Sequence, residues 1–221
     1  MIEKHWRRLC ENSKKLGINL VDEELLIAEI YKLIEANKVI NGRMRVTFFD
    51  ESASKIWQFQ TENKTSILIV TADFREVSTI NLTVSPFTIN STSPLANIKS
   101  CNYLEQTIAF EEAKNRGFDE AIRLNERGEI ASATMANIFW IKDEKLFTPS
   151  LKTGCLAGTT REFILENHEC FEVESSLESL ENADDIFLTS AGVGIKQATF
   201  SEKTAVKDDK VFRFLQSLFP R

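Results

Sequence analysis

Residues Pro94–Arg161 read PLANIKSCNYLEQTIAFEEAKNRGFDEAIRLNERGEIASATMANIFWIKDEKLFTPSLKTGCLAGTTR, and the order of features in this stretch decides the fold. Lys99 sits in a short loop ahead of a helix whose start reads Asn-Tyr-Leu-Glu-Gln. A strand and a tight turn follow. A run of small residues then ends at Asn137 and leads into another strand. The turn Leu156-Ala157-Gly158-Thr159-Thr160-Arg161 opens a further helix. No single piece is distinctive. The information lies in their sequence.

Working outward, helix and strand patterns alternate on both sides. Upstream, 3–16 predicts a helix with Trp6, Leu9, Ser13 and Leu16 near one face. Asp22 is a candidate cap for a second helix, whose buried stripe takes in Leu25, Leu26, Ala28, Ile30, Leu33 and Ile34. Four strands are expected at MRVTFF (44–49), KIWQFQ (55–60), SILIVTA (66–72) and STINLTV (78–84). Segment 85–97, rich in Ser, Thr, Asn and Pro, reads as a linker. Downstream, helices are expected at 101–116, 159–168, 177–181 and 208–218, with strands near 119–125, 136–142, 170–174 and 185–190. The pattern gives two α/β domains, 1–92 and 93–221.

Composition narrows the functional classes. Hydrophobic residues make up 43% and charged residues 27%, as in ordinary globular proteins, and 221 residues suffice for a substantial core. A net charge of −6 without a basic stripe argues against a nucleic-acid partner. The four cysteines form no CxxC pair or metal-type spacing with the two histidines, so they are expected to be reduced thiols in a cytoplasmic protein. The charged start MIEKHWRRLCENSKK is not a signal peptide, and no apolar run has the length of a membrane span.

Two places carry chemistry. An isolated lysine is usually a solvated charge, but Lys99 follows Ile98 and precedes a helix. Among apolar neighbours a lysine amine becomes a usable nucleophile. Gly158-Thr159-Thr160 starts a helix, where free amides and the dipole favour an anion, although a threonine there also serves as a plain cap.

Lys99 with Asn102, Leu104, Glu105 and Gln106, then Gly158-Thr159-Thr160-Arg161, and His5-Trp6-Arg7-Arg8-Leu9 resemble the class IV aminotransferases, the fold type IV pyridoxal-phosphate enzymes. The NYLEQ run is most similar to 4-amino-4-deoxychorismate lyases. The resemblance implies a two-domain fold like that of D-amino-acid aminotransferase, with pyridoxal 5'-phosphate between the domains. It implies Lys99 as the covalent and proton-carrying lysine, and Arg8, Thr159 and Thr160 on the phosphate, with Thr189, Ser190 and Ala191 at a third phosphate-facing turn. Many relatives have threonine where this chain has Ala191, so one donor is expected to be missing. Tyr103 falls where branched-chain enzymes place a tyrosine near the cofactor, and a core or interface tyrosine is an equal reading. Arg161 is expected to be structural.

The chain also departs from that family. Relatives place a glutamate against the pyridine nitrogen at the position of Ser132, and a serine hydroxyl cannot hold a proton there by charge. Glu129, at an odd offset, is expected to face the other way. The family carries further strands ahead of the His-x-x-Arg-Leu element, so the small domain is expected to be truncated. The implied function is a lyase acting on a small amino substrate, releasing pyruvate and 4-aminobenzoate, as a homodimer. The alternatives are a branched-chain or D-amino-acid aminotransferase, and a non-catalytic relative that keeps the fold.

Overall fold

The computed structural model describes residues 1–51, 64–74, 79–200 and 210–217. The chain forms two compact units, Met1–Arg75 and Glu76–Arg221, so the division falls ahead of the 92/93 boundary expected from composition. The strand expected at 55–60 and the ends of the helix expected at 208–218 lie outside the described residues.

In the first unit, α1 (Ile2–Leu16) ends where Gly17 turns left-handed at φ 67° and its N–H caps the Ser13 carbonyl. Helix α2 (Glu23–Ala36) follows Asp22, which occupies the N-cap position but makes no side-chain cap. Leu26 is buried, whereas Leu25 is 52% exposed, so the apolar stripe of α2 is narrower than expected. Strands β1 (Gly42–Asp50) and β2 (Thr65–Asp73) pair antiparallel in unbroken register from Gly42↔Asp73 to Asp50↔Thr65.

The second unit contains β3 (Ile80–Val84), α3 (Leu104–Asn115), β4 (Glu120–Leu124), β5 (Ile130–Ala133), β6 (Asn137–Lys142) and β7 (Lys145–Pro149). It continues with α4 (Thr159–Asn167), β8 (Cys170–Val173), α5 (Glu178–Glu181), β9 (Asp185–Ser190), β10 (Gly194–Phe200) and α6 (Lys210–Ser217). Its eight strands run β5-β4-β3-β10-β9-β6-β7-β8. The two edges curl toward each other. Ile130 N–H donates to Ser175 O at 2.8 Å, and Glu129 bridges Ser176 just beyond β8. Side chains on the two faces of each strand therefore meet different cores. Ile122, Ile138, Trp140, Ile186 and Leu188 fill the inside of the curl. Phe139, Ile141 and Phe187 point outward to Ile164 of α4 and to Phe212 and Leu215 of α6. Phe139 stacks on Phe187 at 5.1 Å. This two-sided burial explains why β6 and β9 read as continuous apolar runs rather than alternating ones.

Two expectations change. Segment 85–97 is not a linker but a loop bound to the second unit. Ser85 N–H donates to Ile122 O and Ile89 N–H to Leu124 O, each at 2.8 Å. Its polar side chains form local turns, as where Asn90 Oδ1 accepts from Thr92 N–H at 3.0 Å. Helix α3 begins at Leu104 rather than near 101, because Cys101–Tyr103 make a turn in which Tyr103 N–H reaches Cys101 O.

Candidate active site

Helix α4 starts at Gly158, which supplies no side-chain cap. Any Cβ at Gly158 would overlap Asn137 Oδ1, so only glycine lets the helix start approach β6 so closely. Asn137 holds that approach by donating from Nδ2 to Leu156 O at 2.8 Å. Across the β6/β9 ladder, Asn137 stands opposite Thr189. The hydroxyls of Thr160, in the first turn of α4, and of Thr189 are buried and have no hydrogen-bond partner among the described residues. An unpaired buried hydroxyl costs about 1–3 kcal/mol, so two of them beside a helix N-terminus are donors arranged for an acceptor. The helix dipole makes an anion the natural one. Thr159 is buried in the same turn. Ser190 ends β9 and pairs with Gly194 of β10, while Ala191 in the intervening turn is exposed and brings no hydroxyl.

Lys99 lies on the loop before α3. It is exposed, with Nζ 4.7 Å from the centre of the Tyr103 ring, so the apolar burial expected from Ile98 is not what surrounds it. The loop itself is anchored. Asn97 adopts a left-handed φ of 64° and its Nδ2 donates to Leu151 O at 2.9 Å and Cys155 O at 2.6 Å. Asn97 and Asn137 thus hold the same segment, 151–156, which leads into α4. Lysine loop and helix start are tied to one backbone stretch.

Ser132, half-buried on β5, faces Arg123 of β4 in register. Register partners share a sheet face. The next pair, Ile122↔Ala133, points into the curl, so Ser132 and Arg123 point out. Glu129 is engaged elsewhere, paired with Arg127 at 2.7 Å. Beyond Ser132, Ala133 N–H closes the turn onto Ala136 O, which brings Ser132 and Asn137 to either side of it. Glu120 binds this turn, accepting from the Thr134 N–H and hydroxyl and from Met135 N–H. Burial raises the pKa of Glu120, and those hydrogen bonds only partly offset it. Arg161 is buried with Nη2 on Pro149 O and on Glu172, the structural role expected of it.

Arg8 belongs to the first unit, half-buried on α1 beside His5. Burial first, then the Arg8 charge and the amino terminus, hold the His5 imidazole below 6.5. The second unit therefore brings Thr159, Thr160 and Ser190 together with Thr189, part of the expected phosphate-facing turn, and with Asn137, a residue not assigned a role from sequence. Asn137 closes the small-residue run, and that position was the available signal.

Residues 1–199 match the family described as Amino-transferase class IV. The chain belongs to this family. It is 29% identical over 202 residues to the aminodeoxychorismate lyase of Bacillus subtilis, covering 86% of this chain and 69% of that one. Its fold matches the 4-amino-4-deoxychorismate lyase of Pseudomonas aeruginosa with a TM-score of 0.87 at 21% identity, covering 98% and 83% of the two chains. It also matches the branched-chain amino acid aminotransferase of Thermobaculum terrenum in its PLP form, with a TM-score of 0.84 at 21% identity, covering 98% and 76%. The class IV family thus supplies relatives named both as lyases and as aminotransferases. Among the described residues no helix is long and apolar enough to cross a membrane, and no cluster of metal-ligating side chains occurs.

Proposed function

We propose that this chain is a pyridoxal-phosphate enzyme with lyase activity, converting 4-amino-4-deoxychorismate to 4-aminobenzoate and pyruvate. One observation carries the cofactor reading: two buried, unpaired hydroxyls, Thr160 and Thr189, at the N-terminus of α4. They suit a phosphate, and the residues present fit the group. An identity of 29% with a lyase, in an alignment covering 86% of the chain, supports the reaction class.

When bound, the cofactor supplies an aldehyde and an electron-withdrawing ring. In this reading Thr160, Thr189 and the α4 amides bind its phosphate. Ser190 completes the rim, while Ala191 contributes backbone only. Lys99 is the residue that would hold the group covalently, and once substrate has displaced it, its amine would take the substrate Cα proton and return one as pyruvate leaves. Its exposed loop leaves that amine free to swing between both tasks. Tyr103, under the Lys99 ammonium, orients it. Ser132 donates to the ring nitrogen without charging it, which suits an elimination that loses a good leaving group early. The working assembly in this reading is a cytoplasmic homodimer acting on a small amino substrate.

The purified protein supplied with pyridoxal phosphate should show a visible chromophore that borohydride reduces, and Lys99→Ala should abolish it while leaving stability within about 0.5 kcal/mol, as for an exposed side chain. 4-Aminobenzoate and pyruvate should then form in equal amounts. A full-strength chromophore in Lys99→Ala would move the covalent role to another lysine. Conversion of a branched-chain or D-amino acid without 4-aminobenzoate would make the protein an aminotransferase, and no chromophore at all would leave a non-catalytic relative.

A further inference from the structure

Arg123 is among the most deeply buried side chains of the second unit, with 2% of its side chain exposed, yet it sits on a strand among apolar neighbours. Its Nε donates to Phe87 O at 3.3 Å and its Nη2 to Thr88 O at 2.8 Å. Among the described residues its one carboxylate partner is Glu105, 3.4 Å from Nη2, whose side chain is 77% exposed. Water screens Glu105 but not the guanidinium, so the buried charge is only partly balanced. Nearby acids do not help. Glu120 is bound to the 134–135 turn and Glu129 to Arg127. The residue that shares a sheet face with Arg123, in direct register, is Ser132.

A ring nitrogen that meets Ser132 therefore meets a hydroxyl donor backed by a buried cation. The donor favours a lone pair on that nitrogen, and the cation penalises an N–H⁺ there. We infer that Arg123 is a cofactor-site residue of this chain, forming with Ser132 the ring-nitrogen end of the site and keeping that nitrogen unprotonated. This rests on the pyridoxal-phosphate reading above. It adds that the serine is half of a two-residue device: a carboxylate restored at 132 would be neutralised by Arg123 before it could charge the ring.

The test is a double-mutant cycle read twice. In cofactor-free protein, Ser132→Glu is made with Arg123 present and with Arg123→Met, and Tm is measured. A new ion pair should make the Tm effect of Ser132→Glu more favourable by about 2–4 °C when Arg123 is present. Equal effects in both backgrounds would show that the two side chains do not meet. In protein loaded with pyridoxal phosphate labelled with ¹⁵N in the ring, the nitrogen shift should be that of a neutral pyridine in wild type and in Ser132→Glu. It should move to the pyridinium position only in the double variant. A pyridinium shift in wild type, or in Ser132→Glu alone, would overturn the inference. So would a neutral ring in the double variant. Should Arg123→Met not fold, Ser132→Glu alone still decides, since it leaves Arg123 in place. Failure to take up the cofactor with Lys99 intact would instead sink the pyridoxal-phosphate reading, an outcome visible before any ring shift is recorded.

Discussion

At the start of α4, Thr160 and Thr189 bury hydroxyls that bond nothing among the described residues, whereas on β4 the far more polar Arg123 is equally buried and gives its donors to Phe87, Thr88 and Glu105. The first region carries an unmet polar cost of a few kcal/mol, and the fold tolerates it because the core of β6, β9 and α4 is closely packed around it. The second is satisfied from within and holds the 85–97 loop to the sheet. Polar burial thus has two signatures here. The two unsatisfied hydroxyls at the α4 start suit an external acceptor. A satisfied cation marks where the chain is tying itself together, and its field then acts on whatever lies next to it.

The strongest break of this comparison is at Arg123. Arg123→Met should destabilise the cofactor-free protein by about 2–4 kcal/mol, because a buried guanidinium and its bonds to the Phe87 and Thr88 carbonyls are lost. Urea unfolding measures it. A cost below about 0.5 kcal/mol would mean that the guanidinium does not anchor the loop and that the second region is no better satisfied than the first.

At the other end the sign should change. Thr160→Val removes a hydroxyl that has no partner among the described residues, so cofactor-free stability should hold or rise by up to about 1 kcal/mol. Affinity for pyridoxal phosphate should nevertheless fall about 10- to 100-fold, as a hydrogen bond to a charged group is lost. Equilibrium titration by absorbance gives the second number. Unchanged affinity together with lower stability would make Thr160 an ordinary structural threonine.

Much of this contrast was legible in the sequence, but unevenly. The α4 start could be read because Gly158-Thr159-Thr160 is local: glycine, hydroxyls and helix are contiguous. Arg123 could not, because the β4 segment GluAlaIleArgLeu says nothing about which carbonyls approach it, and its partners at 87–88 sit in a stretch whose Ser, Thr and Pro content mimics a linker. Strands β5, β7 and β10 also escaped. β5 is a run of small residues, and β7 follows a two-residue hairpin turn in which Asp143 and Glu144 take φ values of 48° and 61° without the Asn or Gly that announces such turns. Tight helices such as α1 and α4 were placed within a residue or so because periodicity is a local property, whereas the curl that closes β5 on the segment after β8 is a long-range one.

The smallest effect probes the turn that joins the two regions. Glu120 clamps residues 134–135, between Ser132 on one side and Asn137 on the other. Burial raises its pKa above the unfolded value of 4.5, so between 4.5 and that raised value the folded chain binds more protons than the unfolded one. Stability must then increase as pH falls through this window and stay lower above it. His5, in the first unit, runs the other way: its folded pKa lies below 6.5, so it opposes folding as it is forced to charge on acidification. Glu51, Glu126 and Glu129, each held below the usual carboxylate range by hydrogen bonds, oppose Glu120 in the same direction as His5, so wild type alone mixes several slopes. Glu120→Gln removes one of them and leaves the His5 contribution in place. The difference in urea midpoint, wild type minus Glu120→Gln, should become more favourable to wild type as pH is lowered from 7 toward 4.5. A flat difference would mean that the carboxyl is not held out of water, and that the Ala133–Ala136 turn owes its shape to backbone bonding rather than to the clamp.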